Sequence, residues 1–109
     1  MDRVCRYLTA GFLGELSQPE AARLANLSVP AFSRFFRRST GKSFTRYVNE
    51  LRIGHACRML IETDKSVSEI AFASGFQNLS NFNRRFRELK RAGPREFRRQ
   101  FAFGGVRDL

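Results

Sequence analysis

The sequence predicts an all-α fold of about seven helices, arranged as two helical units joined by one long helix. Three observations lead there. Proline occurs only three times in 109 residues and β-branched residues are thinly spread, a composition that favours helices over strands. One segment of the chain occurs twice at a nearly fixed offset. Between the copies, residues 43–63 contain no proline and one glycine, long enough for a continuous helix.

The chain opens with a support helix in which Val4, Leu8 and Phe12 share one face, with Tyr7 alongside. Ser17-x-x-Glu20 then reads as a capping box, in which each side chain takes a backbone N–H that the helix start leaves unpaired. It starts a short helix over about 18–26. A second helix, about 29–39, starts after Ser28, a good N-cap residue. Forty-nine residues on, Ser66-x-x-Glu69 repeats the box and starts a helix over about 67–74. Asn78 then caps a helix over about 79–90. Downstream of the turns the offset is fifty, with Phe32-Ser33-Arg34-Phe35-Phe36-Arg37 lying over Phe82-Asn83-Arg84-Arg85-Phe86-Arg87. The slip of one predicts an extra residue in the second turn, around Gly75 and Phe76. Phe44 and Tyr47 fall on Pro94 and Phe97.

Phe32 and Phe36, like Phe82 and Phe86, are spaced i, i+4 and face inward, with Leu89 extending the second stripe. The opposite faces carry Ala31, Arg34, Arg37 and Arg38 in one copy and Ser80, Asn81, Arg84 and Arg87 in the other. A short helix, a tight turn and a second helix with one apolar and one basic face is the helix-turn-helix pattern. In the joining helix, Phe44, Tyr47, Val48 and Leu51 form one stripe, and Ile53, Ala56, Cys57 and Leu60 a second on nearly the opposite side. A helix serving two cores must change sides in this way. Its twenty or so residues span ~30 Å, close to the ~34 Å between successive major grooves on one face of a duplex. Pro94 starts a closing helix. The expected organisation is a helix-turn-helix subdomain over 1–42, a linker helix over 43–63, a second subdomain over 64–101 and a tail over 102–109.

Lys and Arg total 20 against 10 Asp and Glu, a formal charge of +10. Such a field attracts polyanions, whether nucleic acid or an anionic membrane. Seventeen of the 20 basic residues are Arg, whose planar fork suits phosphate and guanine edges, so nucleic acid gains. No run is apolar enough to span a membrane, and the N-terminus lacks the apolar core of a signal peptide. Two isolated cysteines, Cys5 and Cys57, and one histidine, His55, offer no metal-ligand spacing and no nucleophile–base pair. No cofactor, no metal and no enzyme activity are expected. Both thiols are read as packed residues of a cytoplasmic protein, and His55 as a surface or packing residue of the linker helix.

Ile70-Ala71-Phe72-Ala73-Ser74-Gly75-Phe76-Gln77-Asn78, then Asn81-Phe82-Asn83-Arg84-Arg85-Phe86-Arg87 and Pro94-Arg95-Glu96-Phe97-Arg98, resemble the second-unit signature of the AraC/XylS family of bacterial transcription regulators. Leu51-Arg52-Ile53 with Ala56 and Leu60 resembles the family's linker-helix motif. The resemblance covers about residues 3–100. It implies sequence-specific binding of double-stranded DNA, with the second helix of each unit in the major groove. Many members carry this region at the C-terminus, behind an effector-binding domain; an excised domain and a naturally short regulator both remain open. Two places depart from the pattern. Arg91 and Gly93 stand where the family usually has Gly and Ser or Thr, which leaves that turn's geometry open. Pro30 comes one position later than usual, where it has no N–H to offer a base.

By that resemblance, base contacts fall to Ala31, Ser33 and Arg34 in the first unit and to Ser80, Asn81, Asn83 and Arg84 in the second. Arg grips guanine O6 and N7 bidentately, Asn suits adenine N6 and N7, and Ala31 suits a thymine methyl. Phosphate contacts fall to Ser28, Arg38, Lys42 and Arg46, and to Asn78, Arg85, Arg87, Arg95 and Arg98. RNA polymerase subunits are a second expected partner. The domain alone is expected to be monomeric, with dimerisation left to a further N-terminal domain. Two rivals stay open: a protein-interaction module whose basic faces meet an acidic partner, and charge-driven binding without sequence preference. Exposed phenylalanines at 32, 36, 82 and 86 would instead suggest stacking on single-stranded bases.

Overall fold

The computed structural model describes residues 2–103. Among them are seven α-helices, a closing π-helical segment and no strand: α1 (Asp2–Gly11), α2 (Gln18–Leu24), α3 (Val29–Thr40), α4 (Phe44–Glu62), α5 (Val67–Ala73), α6 (Leu79–Lys90), α7 (Pro94–Phe97) and the π-helical Arg98–Phe103. The all-α class therefore holds, with each helix within two residues of its expected span. Most of the predicted tail lies outside the described residues. Two compact units divide between Asn49 and Glu50, inside α4, so the linker helix is shared between two cores.

The first core takes Val4 and Leu8 from α1, Ala21 and Ala22 from α2, Phe32 and Phe36 from α3, and Phe44 and Val48 from α4. The second takes Ile53, Ala56, Cys57 and Leu60 from α4, Ile70 and Ala71 from α5, Phe76 from the turn, and Phe82 and Phe86 from α6. The repeat extends to ring geometry. Phe36 meets Tyr47 edge-on at 5.3 Å and 83°, and Phe86 meets Phe97 at 5.5 Å and 82°. These phenylalanines are core, packed as tilted and edge-to-face pairs.

The turns explain the one-residue slip. After α2, Asn26 adopts a left-handed φ of 59°, its N–H donates to the Arg23 carbonyl, and the Leu27 N–H donates to Ala22. After α5, Gly75 adopts φ 96°, its N–H donates to Phe72, and the Phe76 N–H donates to Ala71. Both are Schellman closures, which satisfy orphan carbonyls of the last turn. Ser28 directly follows the first closure, whereas Gln77 intervenes before Asn78 in the second.

One capping box is complete and the other is not. The Glu69 N–H donates to Ser66 Oγ at 3.1 Å and the Ser66 N–H donates to Glu69 Oε1 at 3.1 Å. That N–H holds the Glu69 carboxyl below the usual carboxylate range. At Ser17 only the hydroxyl half forms, accepting from the Glu20 N–H at 3.2 Å. Glu20 pairs with Arg23 one turn on, and the Ser17 N–H donates instead to Tyr7 Oη at 2.9 Å. Only tertiary placement of α1 supplies that acceptor.

The turn left open by Arg91 and Gly93 keeps the geometry of its counterpart. Gly41 ends α3 at φ 77°, and Arg91 ends α6 at φ 62°, each N–H reaching back four residues at 2.8 and 2.9 Å. A non-glycine residue is held in the left-handed region, where its Cβ crowds the following carbonyl. Arg91→Gly is expected to stabilise the second unit by about 0.5–1 kcal/mol, the relief of strain exceeding the added chain entropy. Urea denaturation measures it; a destabilised variant would show that the Arg91 side chain contributes contacts of its own.

Candidate nucleic-acid interface

The first unit presents the outer face of α3. Ser33, Arg34, Arg37 and Arg38 are exposed, while Ala31 is half-buried against the domain. Ser28 is an N-cap in extended conformation, its Oγ accepting from the Ala31 N–H at 3.2 Å. Pro30 falls within the first turn, where its missing N–H breaks no helical bond. Arg46 is exposed on α4 and Lys42 half-buried in the turn before it; both take part in intramolecular interactions.

The second unit presents the outer face of α6. Ser80, Asn83, Arg84 and Arg87 are exposed and Asn81 is half-buried. Asn78 Oδ1 accepts from the Asn81 N–H at 2.7 Å, closing the N-cap. Arg84 Nη2 donates to Asn81 Oδ1 at 3.0 Å. This bond joins two of the expected base-reading side chains. A carbonyl oxygen has two lone pairs and a guanidinium five N–H donors, so both keep capacity for a base edge.

The phosphate candidates of this unit separate. Arg95 and Arg87 are exposed. Arg85 is half-buried and pairs with Glu88 at 3.0 Å, because its position on α6 flanks the core-facing side. Arg98 is turned inward: Nε donates to the Leu60 carbonyl and Nη2 to the Thr63 carbonyl, both at 3.0 Å. It closes the C-terminal end of α4, whose last carbonyls lack intrahelical donors. That geometry is a structural clamp on the end of α4, a role beside the phosphate contact expected for Arg98. Arg99, which is not among the expected contacts, is exposed and lines the same groove as Arg87 and Arg95. Its i, i+4 spacing from Arg95 was the available signal.

Cys57 is buried, and burial pushes its thiol up, against the pull of Lys90 and Arg58. Cys5 departs from expectation: it is exposed, since it follows the core-facing Val4 on α1. His55 Nδ1 lies 3.0 Å from Oγ of the fully buried Ser74. Burial, helped by the charge of Arg58, lowers the His55 pKa and favours neutral imidazole. Its place is thus in the packing of the second unit. Among the described residues no group of three or more His, Cys, Asp or Glu side chains is placed to hold a metal, and no helix is long and apolar enough to cross a membrane.

Known proteins agree with this arrangement. Residues 21–100 match the family model described as "Helix-turn-helix domain". An uncharacterized HTH-type transcriptional regulator of Staphylococcus aureus is 31% identical over 98 residues, covering 90% of this chain and 13% of that protein. The regulator YobQ of Bacillus subtilis is 33% identical over 92 residues, covering 84% of this chain and 38% of that protein. The chain therefore spans well under half the length of these relatives. In structure it is similar to an AraC-type transcriptional regulator from Chromobacterium violaceum, with a TM-score of 0.81 and 29% identity over 92% of this chain and 89% of that one. It is similar too to the DNA-binding domain of the global transcriptional factor AdpA, solved in complex with a target DNA. There the TM-score is 0.85, with 25% identity over 92% of this chain and 90% of that one. With its duplicated helix-turn-helix units and capped, basic second helices, the chain belongs to the AraC-type helix-turn-helix family of DNA-binding transcription regulators.

Proposed function

We propose that the chain reads double-stranded DNA at two adjacent major-groove segments, one with α3 and one with α6. The observation that carries this is the exposed polar face duplicated at equivalent positions, Ser33 and Arg34 on α3 and Asn83 and Arg84 on α6. Each lies on a helix whose opposite face is fixed by buried phenylalanines. Arg34 and Arg84 act as the principal base readers, Arg84 together with Asn81; Ala31, Ser33, Ser80 and Asn83 shape the fit. Ser28, Arg38, Lys42 and Arg46 of the first unit, and Asn78, Arg87 and Arg95 of the second, face phosphates. Arg85, committed to Glu88, contributes charge rather than a direct contact.

In vitro selection on random duplex DNA at about physiological salt tests this reading. Enrichment of two short boxes roughly one helical turn apart is expected. Retention without enrichment would replace it with charge-driven binding, which falls steeply with salt. No retention would favour the protein-interaction reading. On the selected duplex, Arg34→Ala or Arg84→Ala is expected to cost ~1–3 kcal/mol and to relax preference at one base pair. Equal loss on every sequence would move that Arg to the backbone.

The greater length of the relatives supports a role as the DNA-binding part of a longer, effector-responsive regulator, with dimerisation and contact with RNA polymerase subunits belonging to that protein.

A further inference from the structure

Gly93 sits in an unusual place for a residue without a side chain. It is the N-cap of α7, yet provides no side-chain acceptor, and it is buried. Its φ of −76° and ψ of 165° are open to any residue, so the backbone does not require glycine there. What a side chain there would meet is a neighbour: a Cβ built on Gly93 would lie 2.8 Å from Nη2 of Arg87 and 3.7 Å from its Cζ, so the flexible guanidinium would have to move aside. The Arg87 guanidinium thus lies against the Gly93 backbone, in space that any other residue would fill. Its counterpart in the first unit, Ser43, caps α4 by accepting from the Arg46 N–H at 3.2 Å. The second unit forgoes such a cap and holds an arginine in its place.

The position of that arginine gives the exchange a use. Arg87 lines an open groove of about 580 Å³ together with Asn83, Gly93, Arg95, Glu96 and Arg99. Asn83, on the exposed face of α6, is among the lining residues, and three guanidiniums line the groove against one carboxylate. A guanidinium resting on a bare backbone has fewer places to go than one projecting into solvent, and a pre-placed donor loses less freedom on binding.

Resting on the DNA-binding reading above, we propose that Gly93 is a positioning residue, whose missing side chain seats Arg87 to grip a DNA backbone phosphate in this groove. The ligand is the phosphodiester of the strand flanking the segment read by α6. Arg95 and Arg99 extend the same track.

The test is a coupling measurement on the purified chain. Gly93→Ala, Arg87→Ala and the double variant are titrated with the selected duplex over a salt series, and each fold is followed by thermal melting. Gly93→Ala should melt no lower than the parent, since the added methyl displaces only the flexible end of Arg87. It should bind DNA severalfold more weakly on all sequences alike, with the salt slope reduced by about one phosphate contact. Arg87→Ala should do the same, and the double variant should be no weaker than Arg87→Ala alone. Unchanged binding by Gly93→Ala, or losses that multiply in the double variant, would overturn the positioning role while leaving the DNA reading intact. If the parent itself fails to bind duplex DNA, the DNA reading falls first and the phosphate role with it.

Discussion

Phe82→Ala is expected to remove about 3–5 kcal/mol from the stability of the second unit, the range for truncating a fully buried aromatic. Phe82 has no exposed surface, and its ring meets Phe76 at 5.2 Å and Phe86 at 5.7 Å. These contacts fix α6 to the turn before it and to the core beneath, so its loss frees the helix that carries Arg84 and Asn81. Since domains hold only ~5–15 kcal/mol in total, such a loss removes a large share of the margin that keeps the unit folded. Urea denaturation followed by circular dichroism should show the midpoint fall, and duplex binding should fall with it. A loss below about 1 kcal/mol, with DNA affinity nonetheless reduced, would mean that the ring meets bases rather than core.

Arg98→Ala comes next, with an expected cost of about 2–3 kcal/mol once the two bonds are discounted for a side chain that is only half-buried. Hydrogen bonds from a charged donor contribute about 1.5–3 kcal/mol where a neutral pair gives about 1. Arg98 makes two, to the Leu60 and Thr63 carbonyls at the end of α4, where the helix dipole also favours a cation. Its half-buried stem adds packing that alanine loses. Arg95→Ala is the control: that side chain is exposed and its removal should leave stability unchanged while weakening DNA binding. The converse pattern, with Arg98→Ala fully stable but binding DNA poorly on every sequence, would return Arg98 to the phosphates.

Much of the molecule follows from local sequence. The capping residues Ser28, Ser66 and Asn78 set the helix starts because their side chains act within three residues of sequence. Phe32, Phe36, Phe82 and Phe86 declared the core through their i, i+4 spacing, and the two stripes of α4 declared that one helix would serve two cores. The offset of the repeat even located the extra residue in the second turn. All of this is local: periodicity, caps and turn chemistry depend on near neighbours.

What the sequence left open depends on partners far along the chain. Tyr7 completes a cap ten residues away. Arg98 reaches 35 and 38 residues back to the end of α4, so a residue that composition marks as one more surface cation is instead a clamp. Arg91 takes the left-handed conformation that glycine would take more readily, because the closing turn demands it. Gly93 lies against a guanidinium six residues upstream, a relation visible only once α6 and α7 are folded together. Which helices form and which faces they bury follows from local pattern, since backbone hydrogen bonding and hydrophobic periodicity are read over a few residues. Tertiary structure alone decided which arginines remain free for a polyanion, because a flexible cation goes to whatever acceptors the fold brings within reach.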